Sequence, residues 1–194
     1  MFRLVCLTLL LSACATQAPL RAPADTEAWK AHQQALLALH TWQASGRIAV
    51  RTDEDGGRAG FDWKQADENY RIRLRGLFGQ GAMELEGSEA GVWLKRAGQP
   101  AVFSTRPEQL LEQESGWRLP LVGLKYWLRG LPDRRGEAQP QLDADGHLAS
   151  LQQHGWQINY RRYQTVGHYT LPTRLELQRD GLRVKVIVDD WELQ

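Results

Sequence analysis

The chain has 194 residues, with 24 Lys and Arg against 23 Asp and Glu, so it is formally close to neutral. That balance argues against a nucleic-acid partner, which would want a net basic domain. The length allows one domain with a substantial core. Eight Trp is rich for this size, and so large a side chain, rarely sealed completely, suits a cavity wall or an interface as well as a core.

The first residues read as a targeting segment. Arg3 is a minimal positive region, and Leu4 to Leu11 is an apolar run too short to span a bilayer. It ends at Leu11-Ser12-Ala13-Cys14, which resembles the bacterial lipobox. The match implies cleavage after residue 13 and a diacylglycerol thioether on Cys14, with the new amino group acylated (a palmitate in most such proteins). An ordinary secretory signal with an incidental cysteine is the alternative. Of the two cysteines, Cys6 would leave with the signal and Cys14 would carry the lipid, so the mature chain would keep no thiol for a disulfide, a thiolate metal site or a nucleophile. Several acyl chains make an effectively permanent anchor. Ala15 stands where an Asp resembles an inner-membrane retention signal, and its absence implies the outer membrane. Residues 14–24 form a Pro/Ala tether without periodicity, and residues 25–194 read as a single domain.

A helix is expected from about Thr26 to Trp42, capped by Asp25 or Thr26, with Trp29, His32, Leu36 and Leu39 as one stripe. His32 and His40 read as half-buried or solvated rather than as ligands, since the stripe offers neither a carboxylate nor a second His at i+4. Short alternating strands follow: 46–51, 58–65 with Phe61 and Trp63 on one face, 91–96 and 100–104. Between them lies the hairpin of residues 69–87. Tyr70, Ile72 and Leu74 alternate with Arg71, Arg73 and Arg75, and Met83 and Leu85 alternate with Glu84 and Glu86. Pairing would set the glutamates opposite the arginines. Its tip carries Leu77 and Phe78 among three glycines, where tips normally carry polar turn residues. The pair either folds back onto the core or is received by a partner or a membrane.

Thr105-Arg106-Pro107-Glu108 reads as a capping box opening a helix that Gly116 stops, and Pro120 to Gly130 reads as a second helix weakened by Gly123. From Arg134 the chain returns to strands, through a turn at residues 143–146, strands near 147–154 and 156–160, and a final hairpin over Arg179-Asp180-Gly181 into Leu182, Val184, Val186 and Val188. The fold class is mostly β with helices (α+β). About eleven strands in one antiparallel sheet must curl and cover an apolar face, which makes an unclosed barrel with a helical lid over an apolar cavity.

The chain resembles the LolB family of outer-membrane lipoproteins. The matches run from the lipobox at Cys14 through Trp29-x-x-His32-Gln33-Gln34, and from Tyr70-Arg71 through the Gly-Leu-Phe-Gly tip to Glu84-Leu85. They continue through Leu119-Pro120-Leu121, Trp127-Leu128-Arg129-Gly130-Leu131-Pro132, and Arg183-Val184-Lys185-Val186 to Trp191. The resemblance implies a receiver of lipoproteins from the periplasmic carrier LolA. It would hold them by their acyl chains and insert them into the inner leaflet of the outer membrane, working as a monomer without cofactor or metal. It also implies a membrane-insertion loop at Leu77 and Phe78. The family carries Leu where Phe78 stands, and often Pro at Leu77; without Pro the turn is less rigid.

Candidates for lining an acyl-chain cavity are the inward sets Trp63, Ile72, Leu74, Met83, Leu85, Leu124, Trp127, Trp156, Tyr160, Val184 and Val186, each of which can equally be plain core. An envelope hydrolase is the first rival, but the chain has no Gly-x-Ser-x-Gly and no His-Glu-x-x-His, and its carboxylate clusters, Glu84/Glu86 and Asp189/Asp190, read as solvated. The other rival is a structural lipoprotein that docks on an envelope protein by its hairpin tip.

Overall fold

The computed structural model describes residues 27–76 and 82–194. In chain order these form α1 (Glu27–Ala38), β1 (Thr41–Arg51), β2 (Gly56–Ala66), β3 (Asn69–Arg75), β4 (Ala82–Ser88), β5 (Gly91–Arg96), β6 (Val102–Ser104), α2 (Pro107–Ser115), α3 (Leu121–Trp127), β7 (Ala138–Leu142), β8 (Leu148–Gln153), β9 (Trp156–Val166), β10 (Tyr169–Arg179) and β11 (Leu182–Leu193). The strands make one sheet in the order β6-β5-β4-β3-β2-β1-β11-β10-β9-β8-β7. Neighbours are antiparallel, and β6 and β7 remain as free edges. Two meanders are thus joined through β1 and β11, the arrangement expected of an unclosed barrel.

Alternation sets the two faces. Ile72 and Leu74 of β3, Met83 and Leu85 of β4, and Val184 and Val186 of β11 are buried, while Arg71 and Arg73 stand opposite Glu86 and Glu84 on the other face. Arg71 Nε donates to Glu86 Oε1 at 2.9 Å. The sheet bends at a bulge between Ser45 and Gly46. A Cβ at Gly46 would lie 2.0 Å from the Ile187 carbonyl oxygen, so only glycine permits that approach.

Three element boundaries differ from expectation, each because packing overrides a local signal. The first helix stops at Ala38 rather than near Trp42, because Trp42 enters β1 as an inward residue. There its ring meets Trp63 at 5.7 Å and Trp191 at 5.5 Å between centroids. The capping box does not form: Arg106, not Thr105, is the N-cap of α2, without a side-chain cap bond. Glu108 instead accepts from the backbone N–H of Val122 at 3.2 Å, tying α2 to the start of α3. Finally, α3 ends at Trp127 and closes in tight turns, with Gly130 N donating to Trp127 O at 3.0 Å and Leu131 N to Tyr126 O at 3.2 Å.

His32 sits half-buried on α1 with its ring edge against His147, 4.9 Å between centroids, and its Nε2 has no hydrogen-bond partner. Burial, then the neighbouring His147, pulls its pKa from 6.5 down to about 4, against a partial offset from Asp143. Between those values the unfolded chain binds the extra proton, so stability falls as pH falls through this window. After discounting for partial exposure, His32 should cost about 1–2 kcal/mol of stability on acidification to about pH 4. Between about pH 7 and about pH 4.5 the urea midpoint of the parent should fall further than that of His32→Phe. Parallel loss in both proteins would remove His32 from the account.

Candidate functional site: an apolar cavity beneath a two-helix lid

Between the inner face of the sheet and the helices lies a cavity of about 30 Å³, room for about one water. The sheet contributes Ile48, Phe61, Trp63, Ile72, Leu74 and Val186 to its wall, and the segment from Leu119 to Leu128 contributes Leu119, Leu121, Leu124 and Leu128. Every one of these residues is apolar, so water gains no partner there and the space stays dry. The lid closes on the sheet with its own leucines, as amphipathic alternation in the strands and helical spacing at Leu121, Leu124 and Leu128 dictate. Gly123 belongs to this packing: a Cβ there would meet the Trp127 ring at 2.7 Å. Its cost in helix propensity is thus traded for close seating of that indole.

Of the candidate lining residues, Trp63, Ile72, Leu74, Leu124 and Val186 meet at this cavity. Met83, Leu85, Trp127, Tyr160 and Val184 are buried elsewhere on the inner side. Trp156 lies in the wall of a polar-rimmed pocket of about 390 Å³ shared with Glu108, Glu112, Arg118 and Arg179. Leu119 belongs to both linings. Ile48, Phe61, Leu119, Leu121 and Leu128 were not on the candidate set; their alternation was visible, but which inward residues share a void is decided by sheet curvature. Cys14, Leu77 and Phe78 lie outside the described residues.

The C-terminal end of the lid is tightly fastened. Trp127 is fully buried, and its Nε1 donates to Gln153 Oε1 at 2.9 Å. That same oxygen accepts from the Asp133 backbone N–H at 2.8 Å. Tyr160 donates its hydroxyl to Trp127 O at 3.2 Å, and burial holds its phenol far above the usual range. Lys125 Nζ reaches Asp67 O at 3.0 Å and Glu68 Oε2 at 2.8 Å. Arg129 is buried, and its Nη1 donates to Leu36 O at 3.1 Å and Leu39 O at 2.8 Å, closing the end of α1. Its guanidinium lies 5.9 Å from the Trp42 ring and 5.7 Å from the Tyr126 ring. Burial lowers its pKa to about 10, so it stays charged at neutral pH. Truncation by Arg129→Ala strands two carbonyls and should cost about 2–4 kcal/mol, read from urea unfolding. A loss within experimental error would show that water replaces it freely.

On the opposite side Arg96 Nη2 donates to Glu114 O at 3.0 Å and pairs with the Glu114 carboxylate, tying α2 to β5, while Glu108 to Val122 and the exposed Arg118–Glu112 pair join parts of the lid to one another. Carboxylates on the outer face are neutralised by cations: Lys95 and Arg71 hold Glu86 below the usual carboxylate range, and Asp189 pairs with Arg47 at 2.8 Å. Asp143, Asp145 and His147 lie close enough to face one ion. Asp143 Oδ1 already accepts from the Asp145 and His147 backbone N–H groups at 3.0 and 2.9 Å, which is the chemistry of the turn itself.

The family model described as "Outer membrane lipoprotein LolB" matches residues 40–191. A relative named outer-membrane lipoprotein LolB from Pseudomonas paraeruginosa is 42% identical over 186 residues, covering 94% of this chain and 91% of its own length. One of the same name from Pseudomonas putida is 40% identical over the same shares. Among solved structures, a LolA superfamily protein from Nitrosomonas europaea superposes with a TM-score of 0.56 at 9% identity, over 84% of this chain and 94% of that one. A DUF1329 family protein from Desulfovibrio piger gives 0.58 at 8% identity, over 87% and 94%. At such identities these two speak for the fold alone.

Proposed function

The chain belongs to the LolB family of outer-membrane lipoproteins, and from that premise we propose that it receives lipoproteins by their acyl chains from the periplasmic carrier LolA and inserts them into the inner leaflet of the outer membrane. The observation that carries the reading is the cavity whose wall is apolar throughout, with a lid of leucines over it. A space of about 30 Å³ is far too small for an acyl chain, so cargo enters by displacing Leu119, Leu121, Leu124 and Leu128 from the sheet. The side of α2 with the start of α3, held to the sheet edge through Arg96 and Glu114, is the part that lifts. The end at Trp127 and Arg129 is the hinge.

Each methylene moved out of water gains about 0.8 kcal/mol in any dry site. Carrier, receiver and bilayer all supply that gain, so direction depends on differences between them. Here the lid's own leucines compete with cargo for the same wall. Closure therefore lowers the net affinity for acyl chains and favours release to a bilayer, where nothing competes. No bond is made or broken, so the chain acts as a receiver and not as an enzyme. In this account Cys14 carries the lipid anchor that holds the monomer to the membrane, and Leu77 and Phe78 enter the leaflet.

The test uses the mature chain with Cys14→Ala, mixed with carrier loaded with a lipoprotein and followed by liposomes. Cargo should move to the chain and then into the liposomes. Cargo that stays on the carrier would overturn the receiver reading.

A further inference from the structure

We propose that the outer face of β3 to β6 is a membrane-interface surface that takes the anionic headgroups of a phospholipid bilayer. This deepens the proposed function and rests on its premise that the chain is anchored through Cys14. Among the described residues the exposed large hydrophobics are Trp93 at 48%, Val102 at 40% and Phe103 at 45%. All three lie on β5 and β6, at one free edge of the sheet; Trp93 and Phe103 share the outer face, whereas Val102 stands opposite the buried Leu94 on the other face. Trp93 and Phe103 are register partners with ring centroids 5.1 Å apart.

Register places cations beside these rings. One row across the outer face runs Arg71, Glu86, Trp93, Phe103, and the next runs Arg73, Glu84, Lys95. Arg75, exposed on the same face, follows toward the hairpin tip. The side chains of Arg71, Arg73 and Lys95 are 47%, 48% and 47% exposed. Glu86 is shared by Arg71 and Lys95, and Glu84 by Arg73 and Arg71. The two carboxylates therefore leave the face with surplus positive charge. Exposed indole and phenyl rings beside cations are the chemistry of a lipid headgroup layer, where rings sit at the boundary and cations meet phosphates.

A protein strand is a poorer occupant. The edge strand β6 has only three residues, too few to template a ladder. The chain between Cys14 and Glu27 spans at most roughly 45 Å, so anchoring through Cys14 holds the domain close to the bilayer.

The test reads one fluorophore. Trp93 is half exposed, whereas the other seven Trp are each at most 5% exposed. The mature chain with Cys14→Ala is mixed with vesicles of brominated phosphatidylcholine, with and without phosphatidylglycerol. We expect tighter binding to the anionic vesicles, weakened by salt, with bromine quenching that disappears in Trp93→Phe. Lys95→Gln or Arg73→Gln should each weaken binding about five-fold. Equal binding to both vesicle types, or binding without quenching of Trp93, would overturn the proposal. Quenching absent while Trp93→Ser impairs handover from the carrier would place a protein on this face and overturn it as well. Handover in solution involves no vesicle, so failure of the receiver reading shows there and is separable from failure here.

Discussion

Phe78→Glu should leave cargo capture intact and stop delivery to the bilayer. The residue lies between β3 and β4, four residues beyond Leu74 of the cavity wall; in the proposed function it serves the leaflet and not the cavity, so uptake from loaded carrier should be unchanged. In the proposed function, delivery requires the tip to leave water. Exchanging an aromatic ring for a carboxylate at a membrane interface costs about 2 kcal/mol, a roughly thirty-fold loss in partition. The measurement is transfer of labelled lipoprotein, first from carrier to the Cys14→Ala chain and then to liposomes, for parent and variant side by side. Phe78→Leu, which keeps a large apolar side chain at the position, should behave as the parent. Equal loss of both steps in Phe78→Glu would mean that the tip serves the fold or the carrier and not the leaflet.

Trp127→Ala should produce the largest loss of stability. Its indole is completely buried, seats against Gly123, meets Trp156 at 6.3 Å and is hydrogen-bonded to Gln153. Truncation of such a side chain costs about 3–5 kcal/mol. In a domain of this size that lowers the thermal midpoint by about 10 °C. In the proposed function Trp127 is the hinge end of the lid, so the variant should also lose cargo before it melts, seen as weaker retention of a fluorescent acyl probe well below the midpoint. Trp93→Ala supplies the contrast: its ring is about half exposed at the sheet edge, and its removal should change stability by no more than about 0.5 kcal/mol. If the two substitutions cost the same, burial is not what distinguishes them.

The strands were readable from alternation alone, since an antiparallel sheet with one wet face imposes a period of two on its residues. The opposition of Arg71 and Arg73 to Glu86 and Glu84 followed from the hairpin and is present in the register. Local end signals were less reliable. Thr105 and Glu108 have the spacing of a capping box, yet Glu108 caps α3 from across the lid, because a long-range acceptor is worth as much as a local one and no sequence window contains it. Trp42 reads as the end of a helix, but it joins Trp63 and Trp191 in the core, and the burial of three indoles outweighs one more helical turn.

What the sequence by itself determined was the class of the molecule. An open antiparallel sheet with a helical lid follows from periodicity and turn chemistry, and the lipobox and family motifs carry the receiver reading, because local patterns are sufficient to specify local structure. Which apolar residues face one another was decided only by tertiary structure. Trp63 and Leu124 meet at the cavity while Tyr160 and Leu85, equally inward and equally apolar, do not. That choice depends on the bulge at Gly46, the curvature it gives the sheet and the place where Trp127 pins the lid, all of which join residues far apart along the chain. For the same reason the exposed Trp93 could not be told from the seven buried tryptophans until the register brought it beside Phe103 at a free edge.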